Sequence, residues 1–232
     1  MCYSEQMGYR RVPFAVDEWY HCFTRGIDKR TTFEDEDDAA RFTELLYLAN
    51  DTKPIERSNF AHTSHQAILE IPRHQTIVSI GAYCLMGNHY HLLLQEKSEG
   101  GISKFMQKVG TGYTMYFNEK NDRIGSLFVG PFRSKHIAQD AYLRRVTQYI
   151  HLNPAELFEP KWKEGHVKNF QQLEKKLLSY TMSSLPDYLG TQRLERAILD
   201  EEVVAMLKHR MPTLNSILKD AALYYSEIEG EF

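Results

Sequence analysis

The sequence predicts an α+β domain organised around an antiparallel hairpin, and three observations predict it. Apolar and β-branched residues run from Ile77 to Met86, a Gly87-Asn88 pair interrupts them, and a second run, HYHLLLQ, begins at once. That pattern is a β-hairpin with a two-residue turn. Helical apolar spacing appears on both sides of it, at 34–50 and at 102–120. Strand-like runs, EWYHCFTRG at 18–26 and the stretch 132–137, stand outside those helices.

In chain order, EWYHCFTRG alternates aromatic and polar residues and stops at Gly26, which predicts a first strand. The stretch EDEDDAARFTELLYLAN has carboxylates in its first turn and Phe42, Leu45, Leu46 and Ala49 at helical spacing. Its acidic run reads as a solvated helix start, not as a metal site. The polar segment 51–75, with Pro54 and Pro72, reads as a loop carrying a short strand at 67–71, and His62, His65 and His74 read as surface residues.

After the hairpin, ISKFMQKVGTGYTMYFNEK places Ile102, Phe105, Met106, Val109 and Tyr113 on one helical stripe, with Lys104, Lys108 and Lys120 elsewhere on the surface. The Gly-rich loop DRIGSLFVGPFRSKHIA leads into the next strand and combines Arg123, Phe128, Phe132, Arg133 and Lys135. Single-stranded nucleic acid favours that mixture of cations and aromatic rings, for backbone neutralisation and base stacking. Asp140 is placed to cap a helix over AYLRRVTQYIHLN that ends at Pro154. On it Tyr149 and Asn153 are four residues apart, hence on one face and about 6 Å apart along the axis. Beyond Pro160 the chain reads as helical: a segment within WKEGHVKNFQQLEKKLLSY, a loop at YTMSSLPDYLG, and amphipathic helices at 191–208 and 213–229.

Composition narrows the function classes. Three cysteines without CxxC spacing exclude a disulfide framework and a cysteine zinc cluster. No run of 18 or more apolar residues and no apolar leader core occur, which predicts a cytoplasmic protein with no membrane partner. A net charge of −3 does not itself point to nucleic acid. Its distribution does: eight Lys or Arg against three acids between Gly100 and Ile150, then five against nine from Pro186 onward.

Residues two apart on a strand share a face roughly 6.5–7 Å apart, so His89 and His91 project side by side, a spacing that suits chelation of one metal ion but is also common as polar decoration. A phenol has an ordinary pKa of about 10 and is a poor nucleophile unless the electrophile is activated. A divalent cation activates a phosphoryl group by polarising its oxygen. Two neutral imidazoles from His89 and His91 with the amide oxygen of Asn153 supply three ligands compatible with Mg²⁺ or Mn²⁺.

The arrangement resembles the HUH-type single-tyrosine transposases (IS200-like), and AYCLMGNHYHLLLQ, GSLFVGPFRSKHI and YLRRVTQYIHLNP are similar to blocks of the bacterial REP-associated tyrosine transposases, with TRGIDKRTTFEDEDD resembling their opening. The resemblance covers roughly 19–154. It implies a ferredoxin-like sandwich, a central antiparallel sheet flanked by helices, in a catalytic domain over 1–160, with a C-terminal helical appendage over 161–232. It implies that His89, His91 and Asn153 hold the metal, and that Tyr149 cleaves single-stranded or hairpin DNA through a 5′-phosphotyrosine bond. Arg133, Lys135 and His136 become DNA contacts, with Lys104, Lys108, Arg123 and Phe128 added by the composition argument. Such an enzyme is expected at the bacterial nucleoid, and a homodimer is left open. Gly87 stands where the family usually has proline and Pro131 where a basic residue is common, the second removing a phosphate contact. A domesticated, non-catalytic DNA-binding protein is the alternative. A histidine-triad nucleotide hydrolase would need histidine at position 93, where this chain has Leu93.

Overall fold

Gly87 and Asn88 turn the chain between two strands, β2 (Val78–Met86) and β3 (His89–Glu96), which pair from Val78–Glu96 to Met86–His89 with one irregularity between Ile80 and Ala82. The turn is held from below: its carbonyls accept the backbone N–H groups of Thr32, Phe33 and Gly26. In this computed structural model, which describes residues 13–53, 56–164, 166–209 and 212–218, β3 also pairs with β1 (Trp19–Arg25). On its other side β1 pairs with β4 (Arg133–Ile137). The sheet is antiparallel throughout, with strand order β2-β3-β1-β4.

Helix α1 (Glu36–Ala49) connects β1 to β2, and α3 (Gly101–Lys120) connects β3 to β4. Two crossovers of this kind over that strand order make the ferredoxin-like arrangement. Both helices cover one face. The Phe42 ring of α1 lies 4.7 Å from that of Tyr90 on β3 and 5.1 Å from that of Tyr113 on α3. Helix α4 (Asp140–Leu152) covers the other face, where Tyr149 meets the ring of His91. Adjacent residues 90 and 91 therefore serve opposite layers, as strand alternation requires.

The acidic start of α1 is exposed from Glu34 to Asp37, as a solvated helix start requires, while Asp38 turns inward as an anchor. Asp35 caps the helix by accepting from the Asp38 N–H, worth about 1 kcal/mol. Asp38 is itself fully buried and receives the Glu34 N–H, the Tyr116 hydroxyl and the Lys120 amine. Lys120 is thereby bound into the fold.

Three further elements differ from expectation. The expected strand at 67–71 is a short helix, α2 (His65–Leu69), because the Ser64 hydroxyl caps it at the Ala67 N–H. His65 is half-buried at the surface, where it lies between Glu44 and Glu195. The expected helix over 191–208 is a 3₁₀ turn (Leu194–Ile198) followed by α8 (Glu201–His209), since the Asp200 carboxylate accepts the Val203 N–H and restarts the helix. Helix α4 begins at Asp140 itself, with Gln139 in the capping position.

Beyond α4 come α5 (Ala155–Phe158), α6 (Phe170–Leu178) and α7 (Leu185–Tyr188). The expected loop before α7 runs along the outer edge of β2: the Leu85 N–H donates to Met182 O and the Ser184 N–H to Tyr83 O. Arg193 fixes that segment through Asp187, the Tyr83 hydroxyl and the Thr181 carbonyl. The edge of the sheet is thus covered by chain from its own C-terminal third, a recognised protection against unwanted pairing. Most of the helix expected over 213–229 lies outside the described residues, as do Cys2 and the N-terminal residues 1–12.

Candidate active site

Alternation and register assemble a cluster of histidines on the α4 face. His89 and His91 point there from β3, and Phe23 and His21 from β1, with Phe23 opposite His91 and His21 one step further on, opposite Leu93. On β4, Arg133 and Lys135 stand opposite Phe23 and His21 and so share that face. The α4 side of the cleft supplies Tyr149, whose ring meets His91 edge-on at 5.4 Å and His21 at 5.7 Å.

Hydrogen bonds orient the imidazoles. His89 Nδ1 lies 2.7 Å from Asn88 Oδ1, and the Asn88 amide nitrogen donates to Lys29 O, so the Asn88 oxygen faces the ring and His89 Nδ1 carries the proton. His91 Nδ1 lies 2.9 Å from His21 Nε2. Asn153 donates its amide nitrogen to the Tyr149 carbonyl oxygen at 2.9 Å, and its side chain acts on His89 in the direction that raises its pKa.

Burial sets the charge state. His91 is only 4% exposed and its pKa falls well below the usual histidine value, first by loss of hydration and then by its neighbours His21 and His89. His21 is pushed down to about 3 by burial, with Lys135 adding to it. His89 is lowered too, again by burial, against smaller opposing contributions from Glu156 and Asn153. Neutral imidazole is the form that binds a metal ion.

The donor set fits a divalent cation. The ring centres of His89 and His91 are 5.1 Å apart with planes at 87°. Two imidazoles on one ion, with bonds of about 2.1 Å near a right angle, have centres about 5 Å apart. Among the described residues no three His, Cys, Asp or Glu side chains form a group able to hold a metal, so a third donor must be of another kind. The Asn153 amide oxygen, beside His89, is of that kind.

The structure thus brings together His89, His91, Tyr149, Asn153, Arg133 and Lys135. Lys135 Nζ lies 4.9 Å over the Tyr142 ring. The remaining expected residues lie elsewhere. His136 points to the α1/α3 side with Tyr20 and contacts Glu18 at 2.7 Å. Phe128 is buried against Tyr90 on that same side. Arg123 bonds Asn118 and the Ser126 carbonyl. Lys108 donates to the carbonyls of Ala49 and Asp51, whereas Lys104 is exposed. Two residues near the imidazoles were not expected. One is His21, detectable only once β1 is registered against β3. The other is Lys163, which acts electrostatically on His89 and His91 and pairs with Glu156 at 2.9 Å.

The chain belongs to the IS200-like transposase family, whose family model matches residues 17–153. A search of the solved structures aligns it with a REP-associated tyrosine transposase bound to a REP hairpin, at 13% identity and a TM-score of 0.48, covering 81% of this chain and 89% of that one. A search of the curated proteins finds no match. None of the helices among the described residues is long and apolar enough to cross a membrane.

Proposed function

We propose that this transposase is a metal-dependent single-stranded DNA endonuclease and strand transferase that works through a 5′-phosphotyrosine bond, most closely akin to the REP-associated group. The juxtaposition of the Tyr149 ring with the His89–His91 pair carries the reading. His89 and His91 would hold the cation through Nε2 and Asn153 through Oδ1. When bound, a Mg²⁺ or Mn²⁺ ion supplies Lewis-acid polarisation of a phosphoryl oxygen and charge neutralisation.

The protein's own part is positioning and nucleophilic attack. Tyr149 Oη bonds to the phosphorus, the bond from phosphorus to the 3′ oxygen breaks, and the phenolic proton ends on the departing 3′-hydroxyl. The energy of the phosphodiester is kept in the tyrosyl ester, so a second 3′-hydroxyl can reverse the step and rejoin DNA. The pairing of Asn153 with the Tyr149 carbonyl ties a metal donor to the backbone of the nucleophile, one turn apart. Arg133 and Lys135, on the same face, are the proposed phosphate contacts. Arg123, Lys104 and His136 would serve a strand that passes round to the α1/α3 side, whereas Phe128 is buried against Tyr90 and Lys108 is taken up by the Ala49 and Asp51 carbonyls. Hairpin-bearing single strands are the proposed substrate on the strength of the REP-type sequence blocks. A cytoplasmic, nucleoid-associated setting goes with that substrate, as does the division into a catalytic domain over 1–160 and an extension over 161–232.

The test is a covalent adduct. Full-length protein with Mn²⁺ and a hairpin-bearing oligonucleotide should give a species that survives denaturing electrophoresis, and Tyr149→Phe should reduce it by on the order of 10³-fold or more. An adduct of normal yield from Tyr149→Phe would exclude Tyr149 as nucleophile. DNA binding without any adduct across such substrates would favour a domesticated binding protein.

A further inference from the structure

We infer that His21 is a positioning residue for the metal site: it accepts the Nδ1 proton of His91 and so presents the Nε2 lone pair of His91 to the cation. This rests on the proposed reading of His89 and His91 as ligands.

The two imidazoles are held at the same atom by different means. Asn88 takes the Nδ1 proton of His89, and His21 Nε2 faces Nδ1 of His91 at 2.9 Å. A neutral imidazole has one N–H and one lone pair, so an Nε2-bound His91 must carry its proton on Nδ1. His21 Nε2 is then the acceptor, and His21 carries its own proton on Nδ1. The opposite arrangement, in which His21 donates, would put the His91 proton on Nε2 and close it to a metal. Metal-binding histidines generally need such a partner at the second nitrogen.

His21 is placed for this role and not for ligation. Along the sheet, Arg25, Phe23 and His21 lie opposite His89, His91 and Leu93 in turn, so His21 stands beyond His91, on the side away from His89. An ion between His89 and His91 is out of its reach, in keeping with the absence of any three-histidine group among the described residues. With His21 at 1% and His91 at 4% exposure and ring centres 5.0 Å apart, the pair has little freedom to reorient.

The experiment measures Mn²⁺ affinity by calorimetry on full-length wild type, His21→Phe and His21→Gln, with folding checked by circular dichroism in EDTA. His21→Phe should weaken Mn²⁺ binding by about 10–100-fold, and His21→Gln, whose amide oxygen can accept, should return to within about threefold of wild type. Wild-type affinity in His21→Phe, or equal loss in both variants, overturns the assignment. Two measurements on wild type stand even if a variant does not fold. Nitrogen-15 correlation spectra with Mg²⁺ should find the His91 proton on Nδ1, and a proton on Nε2 overturns the proposal. Spin-echo modulation of bound Mn²⁺ should count two imidazoles, and three would make His21 a ligand. Failure of the wild type to take up Mn²⁺ at all would instead defeat the metal reading itself.

Discussion

His91 is buried and His65 half-buried, and their surroundings drive them in opposite directions. His91 has other imidazoles beside it, so loss of hydration dominates and keeps it neutral. His65 lies between Glu195 and Glu44, whose hydrogen bonds raise its pKa to about 9 and hold it as a cation. Burial alone does not decide what a histidine does. A carboxylate partner turns it into a charged tie between elements, here α2, α1 and the turn before α8. Its absence leaves a lone pair for a Lewis acid.

The comparison can be broken at either end. The largest effect, after loss of the adduct in Tyr149→Phe, is expected from His91→Ala, which should lower Mn²⁺ affinity by at least ~10²-fold in calorimetry while the chain stays folded. Unchanged affinity would mean that the neutral cluster is only packing. Next comes His65→Gln. Because the folded pKa of His65 is raised above its ordinary 6.5, its contribution is fully present below pH 6.5 and is lost as pH rises through about 9. The variant should be less stable by about 1–2 kcal/mol at pH 6, discounted for partial exposure, with the gap closing by pH 9.5 in urea titrations. A pH-independent gap would show that the two glutamates do not hold a charged imidazole. The smallest effect belongs to Lys135→Ala: a few-fold loss of DNA affinity and a decrease of about 1 in the salt-dependence slope. Lys104→Ala, away from the histidine face, should change that slope less.

Local pattern made much of this legible. Alternation and a Gly-Asn turn set the hairpin, and helical spacing put Tyr149 and Asn153 on one face, because both signals span a few residues. What stayed hidden depends on distance along the chain. His21 meets His91 across 70 residues, and only strand order and register bring them together. His65 meets Glu195 across 130, so its charge could not be read from its polar neighbourhood. The misread strand at 67–71 is a lesson of another kind: five residues are too few for periodicity to separate strand from helix, and the Ser64 cap was the better signal.

The segment held beside β2 by Arg193 also limits how copies of this molecule can join. A sheet grows by adding strands at its free edges, and here one edge is already occupied by Met182 and Ser184. Among the described residues β4 pairs with β1 alone. A strand added to the sheet of the described residues would therefore lie along β4 and not along β2.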